Sequence, residues 1–306
     1  MSKTPFQRRG MLKAGLTEEY TALREMLRNY SREKLREYFP EVLEEVEYAF
    51  QGGKLIRGTL SLLIAKTLSP DVRKVLPIAF AVELMHAASL IHDDIADESP
   101  QRRGRPSFWA KYGLEDAVTF PHIIIPVAIT LVAEAGVDAV IESMSQWRKA
   151  ALGQLWDIRL LQGRNVQVPY EQLIEYKTAS VFEASCSLPL IALNKKDLLR
   201  VGKTYGRALG MLYQVLDDYA DVVNNRIDSG SSRLLAAQTR DVAALNSCVE
   251  NLAIKYFWEV LESSRRLHLS LAEFALLSME KFASEAGESV VKVLRAVEVK
   301  VPWQEG

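Results

Sequence analysis

The stretch Ile91-His92-Asp93-Asp94-Ile95-Ala96-Asp97-Glu98-Ser99-Pro100 sets aspartates at i, i+1 and i+4, at the close of an apolar run that begins near Val75. The period of that run predicts a helix from about Val72 to Asp94, capped at its start by Asp71. On a helix the i and i+4 side chains share a face. Asp93 and Asp97 then stand one above the other, with Asp94 about 100° around the axis. Carboxylates this close repel, more so when desolvated, and the negative end of the helix dipole adds to the cost. Two arrangements tolerate such a cluster: full solvation at a helix end, or a bound cation. Mg²⁺ suits the second, because it takes one or two carboxylates, keeps several waters and completes its shell with substrate phosphates.

The motif occurs twice. Tyr213-Gln214-Val215-Leu216-Asp217-Asp218-Tyr219-Ala220-Asp221 again closes an apolar helical stretch, running from about Val201 and preceded by Asp197 as a candidate cap, with carboxylates at i, i+1 and i+4. Two helix ends that break the same local rule in the same way point to a functional site rather than to two surfaces. Inward carboxylates on helices of a bundle are one way to build a metal site.

Cations accompany the acids. Gln51-Gly52-Gly53-Lys54-Leu55-Ile56-Arg57-Gly58 joins two helices, and its glycines permit unusual backbone angles and close approach to a ligand. The spacing predicts Lys54 and Arg57 on one face of a starting helix, where cations and the helix N-terminus together favour anions. A plain helix–helix turn with two solvated cations fits the same residues. Ser99-Pro100-Gln101-Arg102-Arg103-Gly104-Arg105-Pro106 reads as a polar loop with three arginines just past the first acidic cluster. Arginine grips phosphate in a bidentate way, so acids for Mg²⁺ beside arginines for phosphate match a diphosphate complex. The loop is equally readable as charge balance for Asp97 and Glu98.

With these motifs in this order, roughly over residues 45 to 225, the chain resembles the trans-polyprenyl diphosphate synthases. The resemblance implies a single all-α bundle of the isoprenoid synthase type and a prenyltransferase that joins isopentenyl diphosphate head-to-tail to an allylic diphosphate. It implies two or three Mg²⁺ ions held by Asp93, Asp94, Asp97, Asp217, Asp218 and Asp221. It assigns Lys54, Arg57 and Arg103 to the isopentenyl diphosphate, Arg102 to the allylic diphosphate, and makes His86 a diphosphate contact. Lys177 and Thr178 meet the allylic diphosphate and the nascent cation, and Gln214 lies near the reacting centre. The family's homodimer is implied too. His92 is read as structural. Gly153-Gln154 and Asp157 resemble a further family motif weakly.

The chain departs from the family at several places. Leu55 and Gly58 stand where an arginine and a proline are usual. The usual Gly-Asp-Ala near residues 115 to 135 is missing. After Asp221 the family's Gly-Lys loop is replaced by a lysine-free stretch, Val222 to Arg233, in which Arg226 or Arg233 is the candidate replacement cation. That altered loop leaves a silent partner subunit open as an alternative, and the metal motifs leave open another isoprenoid enzyme such as a terpene cyclase.

Composition bounds the rest. The 306 residues are 48% hydrophobic, enough for a large core, and the net charge of −1 argues against a general nucleic-acid surface. Cys186 and Cys248 form no paired metal or redox spacing, which fits a reducing cytoplasm. The longest apolar runs, Phe120 to Ala133 and Val75 to Leu90, fall short of the roughly 18–20 clean apolar residues of a membrane span, so no stable insertion is expected. Residues 1 to about 15 read as a loose basic arm and Thr17 as a helix cap. Tyr170 to Ser180 reads as a helix ending at Lys177-Thr178. Gly202, Gly206 and Gly210 recur every fourth residue and predict close helix packing. No linker or repeat divides residues 1–306, so one domain is expected. Behind Asp93 the near positions are small, Ser89 and Ala88, with Met85 and Leu84 a turn further. By the family's logic an aromatic there would floor a product shaft, so its absence predicts a C20 or longer product.

Overall fold

The structure, a computed structural model, describes the backbone of residues 5–300 and the side chains of residues 15–297. Residues 1–4 of the expected N-terminal arm lie outside the described residues. Among the described residues the fold is all-α, with one two-residue hairpin. Two compact units make it up.

One unit holds Thr17–Met144 and Ser185–Lys196. It contains most of α1 (Pro5–Tyr38), then α2 (Leu43–Phe50), α3 (Ile56–Leu68) and α4 (Leu76–Ala96). The hairpin β1 (Gln101–Arg102) and β2 (Arg105–Pro106) follows, then α5 (Phe108–Tyr112), α6 (Leu114–Thr119), α7 (Pro121–Ala133) and the start of α8 (Val137–Leu161). Every residue from Gly58 to Ala65 is buried, so α3 is a core helix and shows no single apolar stripe. Phe80 of α4 meets the rings of Tyr30 and Phe50 at 6.0 and 5.9 Å. α1 starts at Pro5 and passes through Thr17, so the expected cap there and the expected coil from residue 5 onward are both replaced by helix. Good helix formers such as Leu12, Lys13 and Ala14 continue the pattern backwards past it.

The other unit holds the residues up to Leu16, Ser145–Ala184 and the residues from Asp197 on. It contains the rest of α8, α9 (Tyr170–Ile174), a π-helical turn over Glu175–Ala179 and the first turn of α10 (Ser180–Ala192). α11 (Leu199–Val223), α12 (Gly230–Ala237), α13 (Val242–Leu267), α14 (Ser270–Ala286) and α15 (Glu288–Lys300) complete it. Asp197 lies inside a short 3₁₀ turn, Lys196–Leu198, and α11 begins at Leu199 without a side-chain cap, unlike the expected Asp197 cap. The glycine spacing of α11 does what the sequence suggests. A Cβ on Gly206 would lie 2.5 Å from the Phe182 carbonyl oxygen, and one on Gly210 would lie 2.6 Å from Ala179 Cα. Only glycine admits that approach.

Two helical stretches, Val72–Ala96 and Leu114–Ala133, are long and apolar enough to cross a membrane, where the unbroken runs in the sequence looked too short. The first is mostly buried in the protein, as a core helix is; the second is buried over less than half.

Candidate active site

In the first unit, α4 delivers the acidic cluster and the histidine, while the connection into α3 and the hairpin deliver the cations. Asp71 caps the 3₁₀ turn Val72–Val75 by accepting from the Arg73 N–H, and α4 follows from Leu76. Asp93 and Asp94 lie in its last turns, and Asp97 closes it with a backbone N–H to the Asp93 carbonyl. Asp94 is buried and accepts from Arg102 Nε at 2.7 Å and Nη2 at 2.5 Å. Burial pushes its carboxyl upward and Arg102 pulls it back down. Asp93 is half-buried and Asp97 exposed.

The loop with three arginines is a tight hairpin. Arg103 and Gly104 both take positive φ, 55° and 75°, the backbone a two-residue turn of this hand requires. Arg105 is tied back to Gln51 Oε1 at 2.6 Å and to the Tyr48 carbonyl at 2.5 Å. Arg103 lies over Gly52 and Gly53, where added Cβ atoms would meet its side chain at 3.4 and 3.3 Å. The glycine pair therefore makes room for a guanidinium.

Leu55 takes φ 52°, so α3 starts at Ile56 and Lys54 precedes it, and the two cations do not share one helical face as expected. Arg57 Nη1 lies 3.0 Å from His86 Nε2. Burial, then Arg57, Arg103 and Arg102, hold the His86 imidazole well below its usual range. Three guanidinium groups thus surround one neutral ring, an anion-attracting corner. One turn back, buried Glu83 accepts the Gly58 N–H at 2.7 Å. A proline at 58 would have no N–H to donate, so the departure at Gly58 has a partner in Glu83.

In the second unit the π turn carries Lys177 and Thr178. The expected end of a helix there is instead a bulge within a continuous helical run into α10; such bulges concentrate at functional sites. Gly153 of α8 makes it possible: a Cβ there would stand 2.2 Å from the Lys177 nitrogen. Lys177 Nζ meets buried Asp157 Oδ2 at 2.7 Å. Thr178 Oγ1 donates to Gln214 Oε1 at 2.6 Å. Asp218 is fully buried and accepts from Gln214 Nε2 at 3.0 Å, Ser231 Oγ at 2.8 Å and Tyr170 OH at 2.9 Å. Burial pushes Asp218 up to about 7, against the Ser231 hydrogen bond, and the Asp217 charge adds to the rise. Burial, then Asp217 and Asp228, push Asp221 up to about 6. Mutual repulsion of this kind is relieved by a cation.

Arg226 and Arg233 separate clearly. Arg226 Nη2 lies 3.8 Å from Asp221 Oδ1. Arg233 donates to the carbonyls of Leu160 and Leu161 at the end of α8, at 3.2 and 3.1 Å.

Residues 39–233 match the polyprenyl synthetase family. The chain belongs to that family. It is a trans-prenyltransferase, and its fold is that of the isoprenoid synthases. The hexaprenyl pyrophosphate synthase of Saccharolobus solfataricus is 30% identical over 71% of this chain and 75% of that one. The octaprenyl diphosphate synthase of Escherichia coli is 33% identical over 56% of this chain and 54% of its own. Among solved structures, a geranyltranstransferase from Thermotoga maritima is 27% identical and superposes with a TM-score of 0.72, covering 86% of this chain and 99% of that one.

Several side chains that hold the candidate site residues carry little or no motif signal. Asp157 was only a weak motif match, yet it holds Lys177. Tyr170, Ser231 and Glu83 were not singled out at all. The available signal was the pair Gly153 and Asp157, four residues apart and so on one face of α8, a glycine and an acid inside a helical pattern. Among the described residues, no three His, Cys, Asp or Glu side chains converge as a ready-made metal cage. The donor set still fits Mg²⁺. Asp94 accepts from Arg102 and Asp218 from Ser231, and each cluster also carries carboxylates at i and i+4, a donor type and number that suit Mg²⁺ alongside diphosphate and water.

Proposed function

We propose that this prenyltransferase condenses isopentenyl diphosphate head-to-tail with an allylic diphosphate, in a Mg²⁺-dependent reaction that yields a C20 or longer product. The observation that carries the reading is the pairing, within each unit, of an aspartate-rich helix end with positioned cations: Arg57, Arg102 and Arg103 in one, Lys177 in the other. Relatives named as hexaprenyl, octaprenyl and geranylfarnesyl synthases fit a long product, while others are named as short-chain synthases. The length assignment therefore rests on the small residues Ser89 and Ala88 behind Asp93.

In the proposed reaction the allylic C1–O bond breaks and the diphosphate leaves with the electron pair. The isopentenyl double bond attacks C1, and C2 of the isopentenyl unit loses a proton to the departing diphosphate. Asp93 and Asp97 in one unit, and Asp217 and Asp221 in the other, would hold Mg²⁺, which would supply Lewis-acid neutralisation of that leaving group. Lys177 and Thr178 hold the allylic diphosphate and face the nascent cation. Arg57, Arg103 and Lys54 hold the isopentenyl diphosphate, with His86 fixing Arg57. Orienting the two reactants is worth about 7–11 kcal/mol in favourable cases.

The whole chain acts as one catalytic domain in this proposal, in a reducing cytoplasm that keeps Cys186 and Cys248 as thiols. It works as a homodimer: Leu114, Val118, Ile123, Val137 and Ile141, from α6, α7 and α8, are all exposed, and Val137 is 71% exposed. Incubation with Mg²⁺, labelled isopentenyl diphosphate and C5, C10 or C15 primers tests the reading. Products at C20 or beyond are expected. A C15 stop overturns the length assignment, and absence of product with every primer overturns the activity. Ser89 is half-buried one turn behind Asp93; Ser89→Phe is expected to shorten the product.

A further inference from the structure

Six side chains form a ring of hydrogen bonds in the second unit. Lys177 Nζ donates to Asp157 Oδ2 at 2.7 Å, and the Ser231 N–H donates to the other oxygen of that carboxylate at 2.8 Å. Ser231 Oγ donates to Asp218 Oδ1 at 2.8 Å. Gln214 Nε2 donates to the same oxygen at 3.0 Å, and Gln214 Oε1 accepts from Thr178 Oγ1 at 2.6 Å. Lys177 and Thr178 are consecutive, so the ring closes through one peptide bond of the π turn.

Ser231 is where the two arms meet: its backbone serves Lys177 through Asp157, and its hydroxyl serves Thr178 through Asp218 and Gln214. It is fully buried, as are Asp157 and Asp218 to within 1%. The approach is built by its neighbours. Ser229 caps α12 by accepting from the Ser232 N–H at 3.1 Å, which fixes the direction of the first turn. At Gly230 a Cβ would lie 2.4 Å from the Asp157 carbonyl oxygen, so only glycine lets Ser231 come this close. Asp157 in turn satisfies one of the unpaired N–H groups at the start of α12.

We infer that Ser231, from the lysine-free segment after Asp221, is a positioning residue that locks Lys177 and Thr178 in register for the allylic substrate. The inference rests on the prenyl-transfer reading. In this chain the segment after the second aspartate cluster contributes by clamping the π turn from behind, and it does so with a serine that touches neither substrate.

The test compares wild type, Ser231→Ala, Asp157→Asn and the double variant in steady-state kinetics, with melting temperatures measured alongside. Each single variant is expected to lower kcat about tenfold and to weaken the allylic substrate, while KM for isopentenyl diphosphate stays within twofold. The double variant is expected to lose less than the product of the single losses, because both break the same ring. Calorimetry with Mg²⁺ and geranyl diphosphate reads the same comparison without turnover. If wild type binds no geranyl diphosphate, the prenyl-transfer reading falls and the inference with it. If wild type binds and Ser231→Ala binds equally with unchanged kcat, the inference alone falls. It also falls if the KM values for both substrates rise together with a lowered melting temperature, which marks general loosening.

Discussion

Arg57 Nη1 stands 3.0 Å from His86 Nε2, and since a guanidinium has only donors, that nitrogen is the acceptor and the ring is neutral. His86→Phe removes the acceptor and is expected to raise KM for isopentenyl diphosphate about tenfold, the worth of a hydrogen bond to a charged donor. His86→Gln keeps an acceptor and is expected to stay within about threefold. The pH dependence has a definite sign. Burial, then the nearby guanidinium groups, hold the folded pKa below the ordinary 6.5, so the stability His86 contributes is complete above that value and is lost as pH falls toward the depressed one. Melting curves between pH 7 and 5 should show a larger loss for wild type than for His86→Gln.

The second aspartate cluster has the opposite sign. Burial pushes Asp218 up to about 7 and Asp221 up to about 6, above the ordinary aspartate value of 3.8. Their contribution without metal is present below 3.8 and lost as pH rises through those folded values. Mg²⁺ would compete with the proton of Asp221, so the melting-temperature gain from Mg²⁺ and diphosphate is expected to grow from pH 6 to pH 8. Asp221→Asn should remove most of that growth. A gain independent of pH would contradict metal binding at Asp221.

Gly153→Ala and Gly206→Ala separate catalysis from packing. Both place a Cβ against backbone, at 2.2 Å from the Lys177 nitrogen and 2.5 Å from the Phe182 carbonyl oxygen. Overpacking of this kind costs about 1–3 kcal/mol, which denaturant unfolding would register in both. Only Gly153→Ala displaces the π turn, so only it should lower kcat by more than the folded fraction explains.

Arg226 and Arg233 make a matched pair. Arg226 faces Asp221 and is expected to help hold the departing diphosphate, so Arg226→Ala should lower kcat several-fold with stability unchanged. Arg233 serves two carbonyls at the end of α8. Arg233→Ala should cost about 1 kcal/mol of stability and leave turnover within twofold. Steady-state kinetics with the same primer for both variants decides between them.

The sequence by itself determined the helical class and the family. The period of apolar residues reports which face of a helix is buried, and two clusters of acids at i, i+1 and i+4 announce an electrostatic cost that solvation or a bound cation must offset. The small-residue stripe of α11 was legible for the same reason, because spacing along one helix maps directly onto one face. What only the tertiary structure decided depends on contacts between distant segments. The π turn at Lys177-Thr178 exists because Gly153 of α8 lies against its backbone. Asp94 and Asp218 are engaged by Arg102, Tyr170, Gln214 and Ser231, while their neighbours stay open to solvent to different degrees; spacing treats all six aspartates alike. Leu55 adopts a left-handed backbone that separates Lys54 from α3, and nothing in a leucine's own preferences favours that. Local preference sets the elements, but the partner of each buried charge is chosen by whichever segment the fold brings within 3 Å of it, and sequence spacing does not carry that information.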